Sequence, residues 1–166
     1  MPGFICHQCG QHHNNLAMSY DFPAPAYWST DFAKDATSQL HEEICIIKGQ
    51  YFFVKGNIEI MIGATGERFI YTVWISLEQP DFNRAVQMWY DPQRVNEPSY
   101  PGQVANQLTG YPDMLGLNVA VHSRKVGVRP FIKLGPAEHP LSVEQAQGIE
   151  MQRVQEIAEL MVHQEK

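Results

Sequence analysis

The sequence predicts an α+β domain in which an antiparallel sheet of about five strands is covered by an amphipathic C-terminal helix, with an irregular N-terminal Cys-x-x-Cys segment. Two-residue alternation of apolar side chains fills the middle of the chain, and helical spacing dominates its end. Because 166 residues suffice for one core but not comfortably for two, we expect a single domain over residues 1–166. Its predicted parts are 1–39 (irregular), 40–134 (mostly sheet, one helix) and 138–163 (helical).

The predicted irregular segment is rich in proline and aromatic residues between Tyr20 and Trp28. Proline fixes the backbone and removes an N–H donor, so this stretch is expected to lie over the core without regular pairing. Thr30 or Asp31 is suited to cap a short helix that follows.

The sheet is predicted from residue 40 onward. Residues 58–62 and 69–77 alternate and are joined by a turn at 63–66, which indicates an antiparallel hairpin. The second of these strands is apolar on both faces and should therefore be central. Gly56 is expected to interrupt the preceding strand, and Pro130 indicates an edge position for the strand at 128–134.

Helices are predicted both within the sheet region and after it. Asp81 is expected to cap one helix within it, and Ser142-x-x-Gln145, directly after Pro140, has the form of a capping box. The last helix is predicted from apolar residues at helical spacing. These residues are Met151, Val154, Ile157, Ala158 and Met161.

The overall charge argues against some functions. Eighteen acidic against twelve basic residues give a net charge of −6, the wrong sign for neutralising a nucleic-acid backbone. Apolar runs are too short for a membrane span, and the N-terminus lacks the pattern of a secretory signal. Three cysteines, an odd number, fit a reducing compartment better than a disulfide framework. We therefore expect a soluble cytoplasmic protein that binds neither nucleic acid nor membrane.

The sharpest chemical signal is the pair Cys6 and Cys9. Two thiolates at this spacing can grip one tetrahedral zinc, and Gly10 lets the backbone turn beneath it. A structural zinc needs four ligands, so the others would be His12 or His13 together with Cys45. Two other interpretations stay open at this point, namely two small packed thiols and a redox dithiol.

A second group is formed by His122, Arg124, Arg129 and His139, with Tyr111 and Asp113 as neighbours. Converging arginines and histidines could hold an anion or carry out acid–base chemistry. The structural alternative is that the arginines pair with Glu138, Glu144 or backbone carbonyls. His139 would then only introduce the helix after Pro140.

Several phrases of the sequence are characteristic when taken together. They are Cys6-x-x-Cys9-Gly10-x-x-His13, Tyr51-Phe52-Phe53-Val54-Lys55-Gly56-Asn57-Ile58-Glu59-Ile60, Tyr71-Thr72-Val73-Trp74-Ile75-Ser76-Leu77, Gly110-Tyr111-Pro112-Asp113, Val121-His122-Ser123-Arg124, Arg129-Pro130-Phe131-Ile132, His139-Pro140-Leu141-Ser142-Val143-Glu144-Gln145 and Arg153-Val154-Gln155-Glu156-Ile157-Ala158. From about Phe4 to His163 the chain resembles the bacterial domain-of-unknown-function family 2199. The resemblance implies relatives but no activity. Gln103-Val104-Ala105-Asn106 departs from the aromatic and aliphatic residues expected after Pro101-Gly102, so a site using that loop is not expected here.

Two functions remain in view. The first is a non-enzymatic protein-binding protein, in a specific form an immunity protein whose acidic surface blocks the basic active site of a bacterial toxin. The second is a hydrolase or transferase acting on an anionic small molecule, with His122 or His139 as base and Arg124 or Arg129 as anion holder. The absence of a complete catalytic constellation favours the first.

Overall fold

The fold is taken from a computed structural model that describes residues 3–13, 16–135 and 138–163. Residues 1–2 and 14–15 of the predicted irregular segment lie outside the described residues. The strands are β1 (Phe4–Ile5), β2 (His12–His13), β3 (Ser19–Asp21), β4 (Gln39–Leu40), β5 (Ile44–Ile47), β6 (Tyr51–Met61), β7 (Arg68–Leu77), β8 (Tyr100–Val104), β9 (Asn118–His122) and β10 (Phe131–Leu134). The α-helices are α1 (Gln79–Gln87), α2 (Pro140–Gln147) and α3 (Met151–His163), and 3-10 helices span Thr30–Lys34 and Pro92–Asn96.

Strands β3 to β10 form one sheet in the order β3-β7-β8-β9-β10-β6-β5-β4. Strands β6 and β7 also pair directly, so β7, β8, β9, β10 and β6 close into a five-stranded barrel. The α+β class and the C-terminal helix are thus confirmed, but the simple antiparallel sheet of five strands was wrong. One barrel contact is parallel and joins Phe131 of β10 to Asn57 of β6. Closure removes the open edges of these five strands.

Strand β10 shows why the edge prediction from Pro130 was wrong. The strand lies between β9 and β6, and Pro130 immediately precedes it. The carbonyl of Pro130 accepts a hydrogen bond of 2.9 Å from the Asn57 N–H. Because Pro130 is needed there only as an acceptor, its missing N–H costs nothing.

Strands β6 and β7 are buried on both faces, which confirms the central position predicted for β7. One face supplies Ile58 and Tyr71 to the main core, and the other supplies Phe53 and Trp74 to a second apolar cluster. The predicted interruption at Gly56 was wrong, since β6 continues through it. A side chain there would overlap that of Ile132, so glycine permits a close approach between strands.

The helices follow the sequence pattern, but their N-caps differ from the predicted ones. The N-cap of α1 is Glu78 rather than Asp81, and that of the first 3-10 helix is Ser29 rather than Thr30 or Asp31. Helix α3 buries Val154, Ile157 and Ala158, as its apolar stripe predicts. Helix α2 begins at Pro140, but its N-cap side chain is His139 rather than Ser142. Within the described residues, every helix is too short or too polar to cross a bilayer.

In its described residues, the stretch predicted to be irregular contains β1 to β3, the start of β4 and a 3-10 helix, and its second half covers the outer face of β7. Asn106 links this covering segment to strand β7. Its side-chain oxygen accepts a hydrogen bond of 2.8 Å from the Trp74 N–H, and its amide donates one of 3.0 Å to the Ala24 carbonyl. Asn106 is 2% exposed, so water cannot replace these bonds.

We expect Asn106→Ala to lower the free energy of unfolding by about 2 kcal/mol, because the buried Trp74 N–H loses its acceptor. The matched control is Asn96→Ala on the exposed surface, which should change stability by less than about 0.5 kcal/mol. Urea denaturation followed by circular dichroism measures both. Equal losses for the two variants would contradict the role assigned to Asn106.

Candidate metal centre

The N-terminal hairpin, residues 4–13, is a separate two-stranded sheet that is not hydrogen-bonded as a strand to the barrel. Its strands pair Phe4 with His13, and its turn is closed by a hydrogen bond of 2.8 Å from the Gly10 N–H to the Cys6 carbonyl. Gly10 has a φ of +72°, in the left-handed region that glycine adopts without penalty. The turn therefore carries Cys6 and Cys9 on one tight loop.

Helix α3 holds this hairpin through a polar stripe. Gln155, Glu159 and His163 follow one another at intervals of four, so they share one helix face. Gln155 Nε2 donates to the Ile5 carbonyl at 3.0 Å, Glu159 Oε1 accepts from the His7 N–H at 2.7 Å, and His163 Nε2 lies 3.2 Å from Cys6 Sγ. The hairpin is thus docked along the last helix.

Four side chains converge where the stripe meets the turn: Cys6, Cys9, His13 and His163. One ligand atom from each lies within 4.8 Å of all the others. Two contacts are shorter, namely Cys6 Sγ to His163 Nε2 at 3.2 Å and Cys9 Sγ to His13 Nε2 at 3.4 Å. In a tetrahedral zinc site with ordinary bond lengths, a sulfur and a nitrogen ligand are about 3.6 Å apart. The four atoms therefore match one coordination sphere.

Hydrogen bonds order the backbone around the buried Cys6. The Gln8 N–H donates to Cys6 Sγ at 3.4 Å. Glu159 is 5% exposed. Burial alone would raise its pKa, but the hydrogen bonds and charge from His7 together with the bond from Gln155 lower it overall. This carboxylate, which His7 and Gln155 hold, fixes the backbone of His7 between the two cysteines.

The predicted ligands are only partly those that the structure brings together. His12 and His13 are successive residues of β2, so their side chains leave opposite faces, and only His13 joins the cysteines. Cys45 does not belong to this group, because β5 places it in the second apolar cluster, fully buried. Burial raises the pKa of its thiol to about 12. The prediction of Cys45 as a ligand beside Cys6 and Cys9 is therefore corrected.

The fourth member, His163, was missed by the sequence analysis. It lies 157 residues from Cys6 along the chain. The available signal was the four-residue spacing of Gln155, Glu159 and His163, which places them on one polar face of the amphipathic helix. That spacing indicates a contact surface, but it does not say which segment lies against it.

The two arginines of the second candidate group are bound to carboxylates other than those anticipated. Arg124 lies 2.7 Å from Glu59 Oε2 and donates to the Arg129 carbonyl at 2.7 Å. Arg129 holds Glu43 with contacts of 2.8–3.0 Å, and this carboxylate raises the pKa of Arg129. Both guanidinium groups are thus already paired with protein carboxylates, of which Glu59 also binds Arg68.

The two histidines of that group have separate surroundings. His122 is exposed beside the Phe131 ring. His139 Nδ1 accepts from the Leu141 N–H as the cap of α2, and its Nε2 lies 3.1 Å from the Pro112 carbonyl. The role predicted for His139 as a helix cap is confirmed. Arg124, Arg129 and His139 thus bind separate partners.

Tyr111 and Asp113 also have local roles. The Tyr111 hydroxyl donates to Glu144 at 2.5 Å, and Glu144 is paired with Arg153 at 2.7 Å. Burial and the bond to Glu144 raise the pKa of Tyr111 to about 12. The side chain of Asp113 accepts from the Leu115 N–H in an exposed turn.

We expect Glu159→Gln to speed amide hydrogen exchange across residues 4–13 of the metal-free protein by about tenfold, since a charged acceptor for His7 becomes neutral. Glu156→Gln is the matched control on the same helix, with an exposed side chain. Exchange followed by mass spectrometry compares the two. A hairpin equally protected in both variants would mean that Glu159 does not hold it.

Comparisons with known proteins agree with the resemblance noted from the sequence. Residues 5–149 match the model of the family described as "Uncharacterized protein conserved in bacteria (DUF2199)". This range includes Cys6, Cys9 and His13 but ends before His163. No curated protein and no solved structure matched the chain. Because the match covers most of its length, this chain belongs to the bacterial domain-of-unknown-function family 2199.

Proposed function

We propose that this chain is a non-catalytic binding protein whose two ends are stapled by a structural zinc ion. The observation that carries the proposal is the convergence of Cys6, Cys9, His13 and His163 within one coordination sphere. Two ligands come from the turn, one from β2 and one from the last turn of α3. Zinc would therefore close a loop that includes nearly the whole chain.

The donor set selects the metal and its role. Two thiolates and two imidazoles in tetrahedral reach are typical of zinc. Four protein ligands leave no position for a water molecule, which a catalytic zinc requires. Zinc binding is linked to folding in such sites, so the ion should stabilise the docking of the hairpin on α3.

We expect the purified protein to hold one zinc ion per chain, and expect Cys6→Ser to abolish stoichiometric binding while the matched Cys45→Ser variant keeps it. A second matched pair is His163→Ala, which should lose zinc, and His12→Ala, which should retain it. Elemental analysis after gel filtration measures the metal content.

Folding is checked in the same samples by circular dichroism, so that loss of metal is separated from loss of structure. Zinc retained by Cys6→Ser or His163→Ala would contradict the assigned ligands. A wild-type protein that neither contains zinc nor takes it up would contradict the staple itself.

The second part of the proposal is a protein partner. The net charge of −6 suits a basic surface on that partner, through electrostatic complementarity. Large aromatic side chains stand out in solvent, with Tyr51 at 59% and Tyr90 at 81% exposure, and aromatic residues are enriched in interfaces. Tyr27, in the proline-rich stretch between Tyr20 and Trp28, is 52% exposed.

In its specific form, we propose an immunity protein that acts in the cytoplasm and neutralises a bacterial toxin. The structure does not favour the enzyme alternative, because the arginines that would hold an anion are paired with Glu59 and Glu43. His122 lies beside the Phe131 ring and His139 Nε2 lies near the Pro112 carbonyl, so neither contact indicates a bound anion.

Co-expression tests the immunity proposal directly. A toxin encoded beside this gene should be neutralised by the chain, and the purified pair should associate more slowly as salt is raised, because steering by charge is screened. A toxin that still kills in the presence of the chain, or a gene without such a neighbour and without any stable partner, would overturn this version.

A further inference from the structure

We propose that the zinc site is a redox switch: a hydroperoxide such as hydrogen peroxide converts Cys6 and Cys9 into a disulfide and expels the metal. The inference rests on the zinc site proposed above and adds a regulator to it. It is carried by the unequal exposure of the two sulfurs and by their position on one turn.

The two cysteines differ in their access to solvent. Cys9 is exposed, whereas Cys6 is 1% exposed and lies beneath the turn against α3. A small oxidant can therefore reach Cys9 first, and Cys6 stands behind it as the resolving thiolate. Exposed, metal-activated thiolates beside a second cysteine are the usual targets of peroxide.

Cys45 provides an internal contrast. It is fully buried in an apolar cluster, and burial raises the pKa of its thiol to about 12. Since the thiolate is the form that reacts, Cys45 should stay reduced under conditions that oxidise the turn.

The step balances with hydrogen peroxide as the only oxidant. The Cys9 thiolate attacks one peroxide oxygen, the O–O bond breaks, and the departing hydroxide takes a proton to become water. The Cys6 thiolate then attacks Sγ of the Cys9 sulfenic acid, the S–S bond forms as the S–O bond breaks, and a second water leaves. The two sulfurs lose two electrons, the peroxide gains two, and solvent supplies two protons.

The turn allows this bond without rearrangement of the fold. Cys6 Sγ and Cys9 Sγ lie within 4.8 Å of each other, on one turn closed by the hydrogen bond from the Gly10 N–H to the Cys6 carbonyl. A disulfide bond is about 2.05 Å long, so the two sulfurs must approach each other by less than about 3 Å. Both sulfurs are also within 4.8 Å of the two histidine nitrogens.

Oxidation would change how the chain ends are joined. A disulfide removes both anionic ligands, and two neutral imidazoles are a poor remaining site for zinc. His163 then loses its metal-mediated link to the hairpin, which keeps the bonds of Gln155 and Glu159 and the packing of Phe4 in the core. The switch would therefore loosen the hairpin from α3 while leaving the barrel intact.

The test uses the zinc-loaded, full-length protein and excess hydrogen peroxide. A chromogenic chelator should record release of one zinc per chain, and peptide mapping should find a Cys6–Cys9 disulfide with Cys45 still free to alkylate after unfolding. Dithiothreitol followed by zinc should restore the metal content. Cys45→Ser is the matched variant, and it should release zinc at the wild-type rate.

The outcomes separate this inference from the proposed function. Zinc that stays bound under peroxide, release accompanied by sulfinic acid instead of the disulfide, or a disulfide that includes Cys45 would each overturn the switch and leave the structural zinc standing. A protein that cannot be loaded with zinc would overturn both.

Discussion

Two sulfur and two nitrogen atoms lie within 4.8 Å of one another where the N-terminal turn meets the last helix. Cys6 and Cys9 come from the first turn, and His163 comes from the last turn of the last helix. Because the N-terminal hairpin is not a strand of the barrel, its position depends on the polar stripe of α3 and on the packing of Phe4 in the core. The zinc ion that we propose would add a fixed point at the turn.

The barrel provides the rigid base for this arrangement. Its buried charges and donors are matched inside the protein, which keeps the strands and loops from shifting. Lys55, for example, is buried and lies 2.6 Å from Asp21. The guanidinium of Arg94 is shared among the carbonyls of Trp89, Arg124, Lys125 and Val128. Burial lowers the pKa of Arg94, but these four bonds give the cation its acceptors.

Local patterns predicted local structure well. Alternation predicted the β6–β7 hairpin, and helical spacing predicted α3, because both patterns act over a few neighbouring residues. Closure of the barrel could not be predicted in this way. It depends on the pairing of Phe131 with Asn57, and alternation says which face a residue takes but not which strand lies beside it.

In the candidate site, too, local features were predicted from the sequence and long-range contacts were not. The Cys-x-x-Cys turn and His13 are close in sequence and were predicted, although the choice between His12 and His13 needed the strand geometry. Cys45 was favoured as a ligand only because it was the remaining cysteine. The partners of Arg124 and Arg129 could not be predicted either, since Glu59 and Glu43 are distant in sequence and the fold alone brings them near.

X-ray absorption at the zinc edge of the purified protein tests the central claim most directly, because it reports the atoms bound to the metal. The account predicts a shell of two sulfur atoms at about 2.3 Å and two imidazole nitrogens at about 2.0–2.1 Å. A shell with three sulfurs, or one dominated by oxygen, would contradict the ligand set of Cys6, Cys9, His13 and His163.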